Sequence, residues 1–291
     1  MKTKLIFFAL LVAARINFAQ EEIKFQVTED DPKNINNFSC NIDFLHLDAG
    51  FNNFDGTSIN LGVWGHLMYK SKLGADYSIR YGYLTLGKSL GSYGNLASNL
   101  NIQLGGNYIL KQHVSSGNNI VYLKYEESYL HKSSRVTFIN VNSSKWRYTS
   151  VRGGLYYKRN LYTIDNQEGE DLSGNYHLLG LYGGICFGSS AKLLVQTDKF
   201  GERGRGYHNR FMVDVLLTPV NNVPENAKAL LPIGARVIWQ SLPVVSGRKN
   251  RKQYSQRFTT EIEAGYRMLD GLYVGGTIAF SISKTLHSFS E

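Results

Sequence analysis

Cysteine, proline and long apolar runs are all scarce in this chain, and each scarcity removes a class of protein. Cys40 and Cys186 are the two cysteines in 291 residues and lie far apart. They cannot form the dense disulfide framework of a small secreted domain, although one bridge is compatible with export. Pro32, Pro219, Pro224, Pro232 and Pro243 are the five prolines, and none falls between Lys33 and Thr218. That excludes a proline-rich linker and leaves a long stretch free to form ladders. Past residue 20 no apolar run approaches the roughly 20 residues of a membrane helix. Seven histidines show no HExxH spacing and no clustering with cysteine, so neither a metal nor a cofactor is expected.

The first residues have their own grammar. Lys2 and Lys4 form a positive start, Leu5 to Ala14 an apolar core, and Ala19 a small residue before a cleavage point. These are the parts of a Sec signal peptide, too short to span a bilayer. No cysteine follows the cleavage point, so a lipoprotein signal is excluded. Removing residues 1–19 takes away Lys2, Lys4 and Arg15 and lowers the formal charge from +9 to +6. A basic exported surface meets anionic lipid or lipopolysaccharide phosphate, and export excludes nucleic acid. The closing Phe18-Ala19-Gln20 resembles signals common in Bacteroidota.

Glycine, tyrosine and phenylalanine are abundant, at 29, 19 and 15 residues. They sit in an alternating pattern. In LGADYSIRYGY (73–83), Leu73, Ala75, Tyr77, Ile79, Tyr81 and Tyr83 share one parity, while Asp76, Ser78 and Arg80 share the other. Successive side chains of a strand point to opposite faces, so this stretch has one apolar and one polar face. The pattern recurs at 58–69, 100–110, 257–268 and 273–283. Further strands are expected at 39–49, 119–127, 134–141, 146–160, 177–188, 191–198, 208–218 and 231–241. No helical period survives over a comparable window.

These thirteen segments predict an all-β, antiparallel, up-and-down transmembrane β-barrel. Bacterial single-chain barrels have even strand numbers, so about twelve strands are expected, or fourteen if Ile23–Val27 adds one. The domain plan is a signal peptide over 1–19, an acidic lead-in over 20–38 and a barrel over 39–291. Short turns are expected at 70–72, 143–145 and 269–271, and longer connections near 86–98, 162–176, 199–207, 219–230 and 242–256. Many segments reach eleven or twelve residues, beyond the usual globular strand. Charged residues on the polar parity are expected to line the interior: Asp76, Arg80, Asp214, Arg236, Glu261, Glu263 and Arg267. The competing reading is a secreted β-sandwich binding module whose polar face meets water.

The signal, the amphipathic strands and a closing strand with Phe280 resemble Gram-negative outer-membrane β-barrels. The resemblance spans nearly the whole mature chain without a family-specific motif. It implies residence in the outer membrane, with outer-membrane lipid, lipopolysaccharide and other envelope proteins as partners. The chain departs from the pattern by ending on Phe289-Ser290-Glu291 instead of a terminal aromatic. Two functions follow: a narrow channel for transport, or a structural subunit of an envelope assembly.

Catalysis has one candidate pattern. Outer-membrane lipid hydrolases resemble one another in placing a general-base His two residues before a nucleophilic Ser, which sets both on one strand face. His113-Val114-Ser115 and His131-Lys132-Ser133 match, but both fall in expected turns, and the chain is read as a non-enzyme. Arg248, Lys249, Arg251, Lys252 and Arg257 crowd one connection and form a candidate site for anionic lipid or an acidic partner. Gly201 to Gly206 precedes no helix and is expected to be a mobile loop, not a dinucleotide fingerprint. Export is expected to leave Gln20 as the first residue, which the intact mass of protein purified from its native envelope will test.

Overall fold

The computed structural model describes residues 23–33, 38–51, 57–86, 99–128, 133–165, 171–222, 232–243, 258–267 and 271–284. In these residues the chain forms eleven strands and no helix. They are β1 (Phe25–Asp30), β2 (Phe38–Gly50), β3 (Thr57–Tyr69), β4 (Leu73–Leu86), β5 (Leu100–Ser128) and β6 (Ser133–Asp165). The rest are β7 (Asp171–Thr197), β8 (Gly201–Asn222), β9 (Ile233–Pro243), β10 (Phe258–Arg267) and β11 (Gly271–Lys284). From β2 to β11 each strand pairs antiparallel with the next. β11 then returns to β2 through Tyr273↔Gly50, Leu45↔Ile278 and Lys284↔Phe38. The result is a closed ten-stranded barrel, with β1 outside it on β7. Closure satisfies the backbone groups that the edges of an open sheet would expose, and it rules out the sandwich.

Ten strands replace the expected twelve or fourteen for a physical reason. Segments 100–110 and 119–127 are one strand, β5. Likewise 134–141 and 146–160 merge in β6, and 177–188 and 191–198 in β7. Polar residues around Ser115–Asn118 and Asn142–Lys145 have turn composition, yet they pair with each other: Ser115↔Lys145, Ser116↔Ser144, Gly117↔Ser143 and Asn118↔Asn142. A ladder to a neighbour overrides local turn preference. Ser143-Ser144-Lys145 is therefore mid-strand. The expected connection at 162–176 is strand up to Asp165 and again from Asp171, and the expected loop Gly201–Gly206 opens β8. Residues 70–72 do form a tight turn, with Lys70 and Ser71 at φ 49° and 50°. Positive φ at both central residues matches the twist of the flanking strands.

Two hairpins outgrow the barrel at the end where β2 begins and β11 stops. β4 pairs with β5 as far as Leu73↔Tyr108, and β6 pairs with β7 only from Trp146↔Ser190 onward. The ribbon of Lys111–Ser128 with Ser133–Lys145 therefore projects past the wall. The tips of β7 and β8 project beside it, and β1 occupies the β7 edge that β6 leaves, from Phe25↔Thr197 to Asp30↔Leu193. A β-bulge between Ile109 and Lys111 lies where β5 leaves the wall, and such bulges bend and twist a strand.

One face of the sheet stays apolar through both parts, and on β6 and β7 its residues keep odd parity throughout. Around the barrel the outward residues are apolar and exposed, as with Leu73, Ile79, Tyr81, Leu155, Leu181, Val215, Ile262 and Ile278. In the projection that face is buried between the layers: Val121, Leu123, Ile139, Val141, Leu193 and Val195 form a core, joined by Ile23 and Phe200. Polar contacts close the layers over it. Asp30 accepts from the Ser144 backbone N at 2.9 Å, Lys192 pairs with Glu29 at 2.9 Å, and the Arg203 Nε donates to the Leu123 carbonyl at 3.1 Å. Leu193→Asp would bury an unpaired carboxylate in this core. It is expected to speed tryptic cleavage of the 109–145 ribbon about tenfold or more through local opening. The barrel itself should keep its heat-dependent gel shift.

Candidate functional site

Alternation that turns apolar residues outward turns the polar ones into the barrel. All seven of the expected interior charges lie there and pair with one another or with charges that the sequence reading did not single out. Arg80 on β4 donates from Nε to Asp43 Oδ2 at 2.9 Å and from Nη2 to Glu261 Oε1 at 2.8 Å, reaching β2 and β10 at once. Arg210 on β8 makes a two-pronged bond to Asp76 on β4, at 2.7 and 2.9 Å. Arg236 on β9 donates to Asp214 on β8 at 2.8 Å and to the Gln103 amide oxygen on β5 at 2.9 Å, with Glu263 at 3.6 Å. Arg152 stands 3.4 Å from Asp214 and 3.9 Å from Asp76. Lys158 and Arg267 converge on Asp48, the lysine at 3.5 Å.

Six cations and six anions are thereby placed face to face. Arg80–Asp43 and Arg236–Asp214 are almost wholly removed from solvent. Aromatic rings complete the lining. The Arg236 guanidinium lies 5.0 Å from the Tyr182 ring centre and Arg152 lies 5.1 Å from it, while Arg267 stacks on Tyr273 at 3.4 Å. Cation–ring attraction gains strength where water is excluded. Glycine makes room for these rings: a side chain on Gly105 would collide with the Tyr182 hydroxyl, and one on Gly188 with the Tyr148 ring.

Met68, Ile109, Trp146, Tyr148, Cys186, Met212 and Ile238 form a buried cluster beside the charges, with Met212 between Arg210 and Asp214 on β8. The cavity left among Trp64, Arg80, Gln103, Arg152 and Glu261 holds about 30 Å³. That is room for about one water molecule. Three interior histidines are tied down: His46 to Thr277 at 2.5 Å, His66 to Ser39 at 2.7 Å and His208 to Tyr148 at 2.8 Å. Chemically this interior can brace strands and block passage.

The other candidates fare differently. His113 and Ser115 are in β5, not in a turn, and no hydrogen bond joins them among the described residues. Ser133 opens β6, while His131 lies outside the described residues, as do Arg248, Lys249, Arg251, Lys252 and Arg257. Cys40 and Cys186 are free thiols. Arg152, Lys158 and Arg210 were missed although their parity matches that of Tyr148, Tyr156 and Asp214 in segments read as strands. Asp43 and Asp48 were hidden by a bulge. The extra residue near Phe44 shifts the register, so that Asp43 and Asp48 both face inward despite opposite parity.

No protein-family model, curated protein or solved structure matches this chain. Arg236→Ala would strand Asp214 and Glu263 near one fewer cation. Breaking a buried pair in this way costs about 3–5 kcal/mol, to be read as a lower midpoint in urea unfolding followed by tryptophan emission.

Proposed function

We propose that the chain is an outer-membrane β-barrel serving as a closed scaffold, a structural subunit of an envelope assembly, and not a conducting pore. The observation that carries this reading is the filled interior. Paired charges and an apolar cluster occupy the cross-section, leaving about 30 Å³ among the charges. Eight-stranded barrels are already filled by side chains and sixteen-stranded ones hold a channel, so ten strands fall on the filled side.

Membrane residence rests on the exterior. Apolar residues face outward on every barrel strand, over stretches such as Leu179 to Phe187 and Leu73 to Tyr83. Those lengths suit the nine to eleven residues of a tilted membrane strand. A continuous apolar exterior of this extent belongs in lipid, since soluble monomers avoid large apolar patches. Sidedness follows from the connections. Three of the four connections at the projecting end, β3–β4, β5–β6 and β7–β8, have three or four residues, and the fourth, β9–β10, has fourteen. At the other end β4–β5 and β8–β9 span ten or more and β10–β11 three. Short turns mark the periplasmic side of outer-membrane barrels, so the projection is a periplasmic platform. The signal peptide read from residues 1–19 supports the same destination.

The platform is where a partner would dock. Tyr122, Tyr125 and Phe138 are exposed on the ribbon beyond the apolar band of the wall. Aromatic residues of this kind are enriched at protein interfaces. In planar bilayers the purified protein, first shown to shift on an unheated gel, is expected to give no discrete conductance steps. Reproducible single-channel openings would replace the scaffold with a channel. A water-soluble protein without a heat shift would remove the membrane reading altogether.

A further inference from the structure

A cavity of about 580 Å³ opens on the outer wall of the barrel, at the corner where the β5–β6 ribbon departs. Its volume is that of a small-molecule site. Two rows of paired residues build it. One row runs across neighbouring strands as Lys111↔Thr149, Thr149↔Phe187, Phe187↔Phe211 and Phe211↔Trp239. The next row, one step nearer the ribbon, begins with His113↔Arg147 and goes on through Arg147↔Ser189. The cavity thus has an aromatic floor of Phe187, Phe211 and Trp239 and a cationic side of Lys111 and Arg147, with His113 beside them. Among the described residues neither Lys111 nor Arg147 is joined to a carboxylate. The cations inside the barrel, in contrast, all face carboxylates.

We propose that this corner binds the headgroup of an anionic phospholipid, with its phosphate between Lys111 and Arg147 and an acyl chain along Phe187, Phe211 and Trp239. The inference rests on the membrane reading above. On β7, β8 and β9 the next outward residues toward the projection are Ser189, Asn209 and Ser241, so at this corner a lipid leaves the apolar wall where it meets the cations. A guanidinium holds a phosphate through two parallel hydrogen bonds, and an ammonium adds a point charge. The ribbon packs over the tips of β7 and β8, where Arg203 and Arg205 donate to the Leu123 and Ile120 carbonyls, and this keeps the corner concave. Charge selects the occupant: two unneutralised cations favour phosphatidylglycerol over a zwitterionic lipid. On the periplasmic side proposed for this end, the adjoining leaflet consists of phospholipid.

Trp239 is a built-in reporter. It is 41% exposed, against 3% for Trp64 and 0% for Trp146, and the chain has no fourth tryptophan. Detergent-solubilised full-length protein would be titrated with phosphatidylglycerol or phosphatidylcholine carrying brominated chains, which quench tryptophan on contact. Phosphatidylglycerol should quench at a concentration about 25-fold lower, roughly fivefold for each permanent cation. Lys111→Gln with Arg147→Gln should bring the two lipids within about twofold while leaving quenching by phosphatidylcholine intact. Both changes are on the surface, so the heat-dependent gel shift should persist.

Equal quenching by both lipids in the parent protein would overturn the site and leave the membrane reading standing. So would a preference that survives the double substitution. Loss of the preference on adding inorganic phosphate, at constant ionic strength, would assign the corner to free phosphate and overturn the lipid. Absence of quenching by either lipid would mean that Trp239 does not face acyl chains, which overturns the membrane reading with it.

Discussion

Charge neutrality inside a closed wall is the constraint on which this structure depends. A closed wall whose narrow interior is filled by side chains keeps inward groups from bulk water, and an unpaired ion there costs several kcal/mol. The chain meets the constraint with shared partners. Asp48, Asp76 and Asp214 each face two cations, while Arg80 and Arg236 each face two carboxylates. Most such sharing ties strands that are not neighbours in the sheet, such as β4 to β8 and β6 to β2. The wall is thus braced from within as well as hydrogen-bonded around its circumference. Breathing of one strand would expose charges belonging to several others.

Local departures from regular pairing make the rest of the architecture possible. The bulge at Phe44 lets one strand point both Asp43 and Asp48 inward, so that β2 can serve Arg80 at one level and Arg267 at another. The bulge at Leu110 marks the level at which β5 stops being wall and becomes ribbon. The outward face of the wall runs on into the ribbon, where Val121, Leu123, Ile139 and Val141 are buried against Leu193 and Val195. β5 therefore contributes polar Gln103 and Asn107 to the barrel interior and apolar Val121 and Leu123 to the core of the projection.

This division bears on function. The six interior cations are spent on interior carboxylates, whereas Lys111 and Arg147, at the outer corner beneath the ribbon, are joined to no carboxylate among the described residues. The surfaces available to ligands and partners are thus the rim and the projection. The bore of the barrel is occupied by the struts that brace it, which is the feature on which the proposed scaffold role rests. β1 strengthens the same view: the segment just after the expected signal is fastened to the projection, through Lys192–Glu29 and Asp30–Ser144.

Alternation of apolar and polar residues is a local property, because the side-chain period of a strand is two whatever the strand pairs with. For that reason all-β architecture, the outward apolar face and the inward direction of Asp76, Arg80 and Arg236 could be read from the chain alone. Strand number could not be. Whether Asn142–Lys145 turns or continues depends on a partner segment some twenty-five residues upstream, and composition is silent about it. The same limit hid Asp43 and Asp48, since a bulge is defined by the neighbouring strand. It also hid the outer corner, whose Lys111, Arg147, Phe187 and Trp239 come from four strands. The amino-acid order determined which face of each strand prefers water; closure and register, which are relations between strands, decided what those faces enclose.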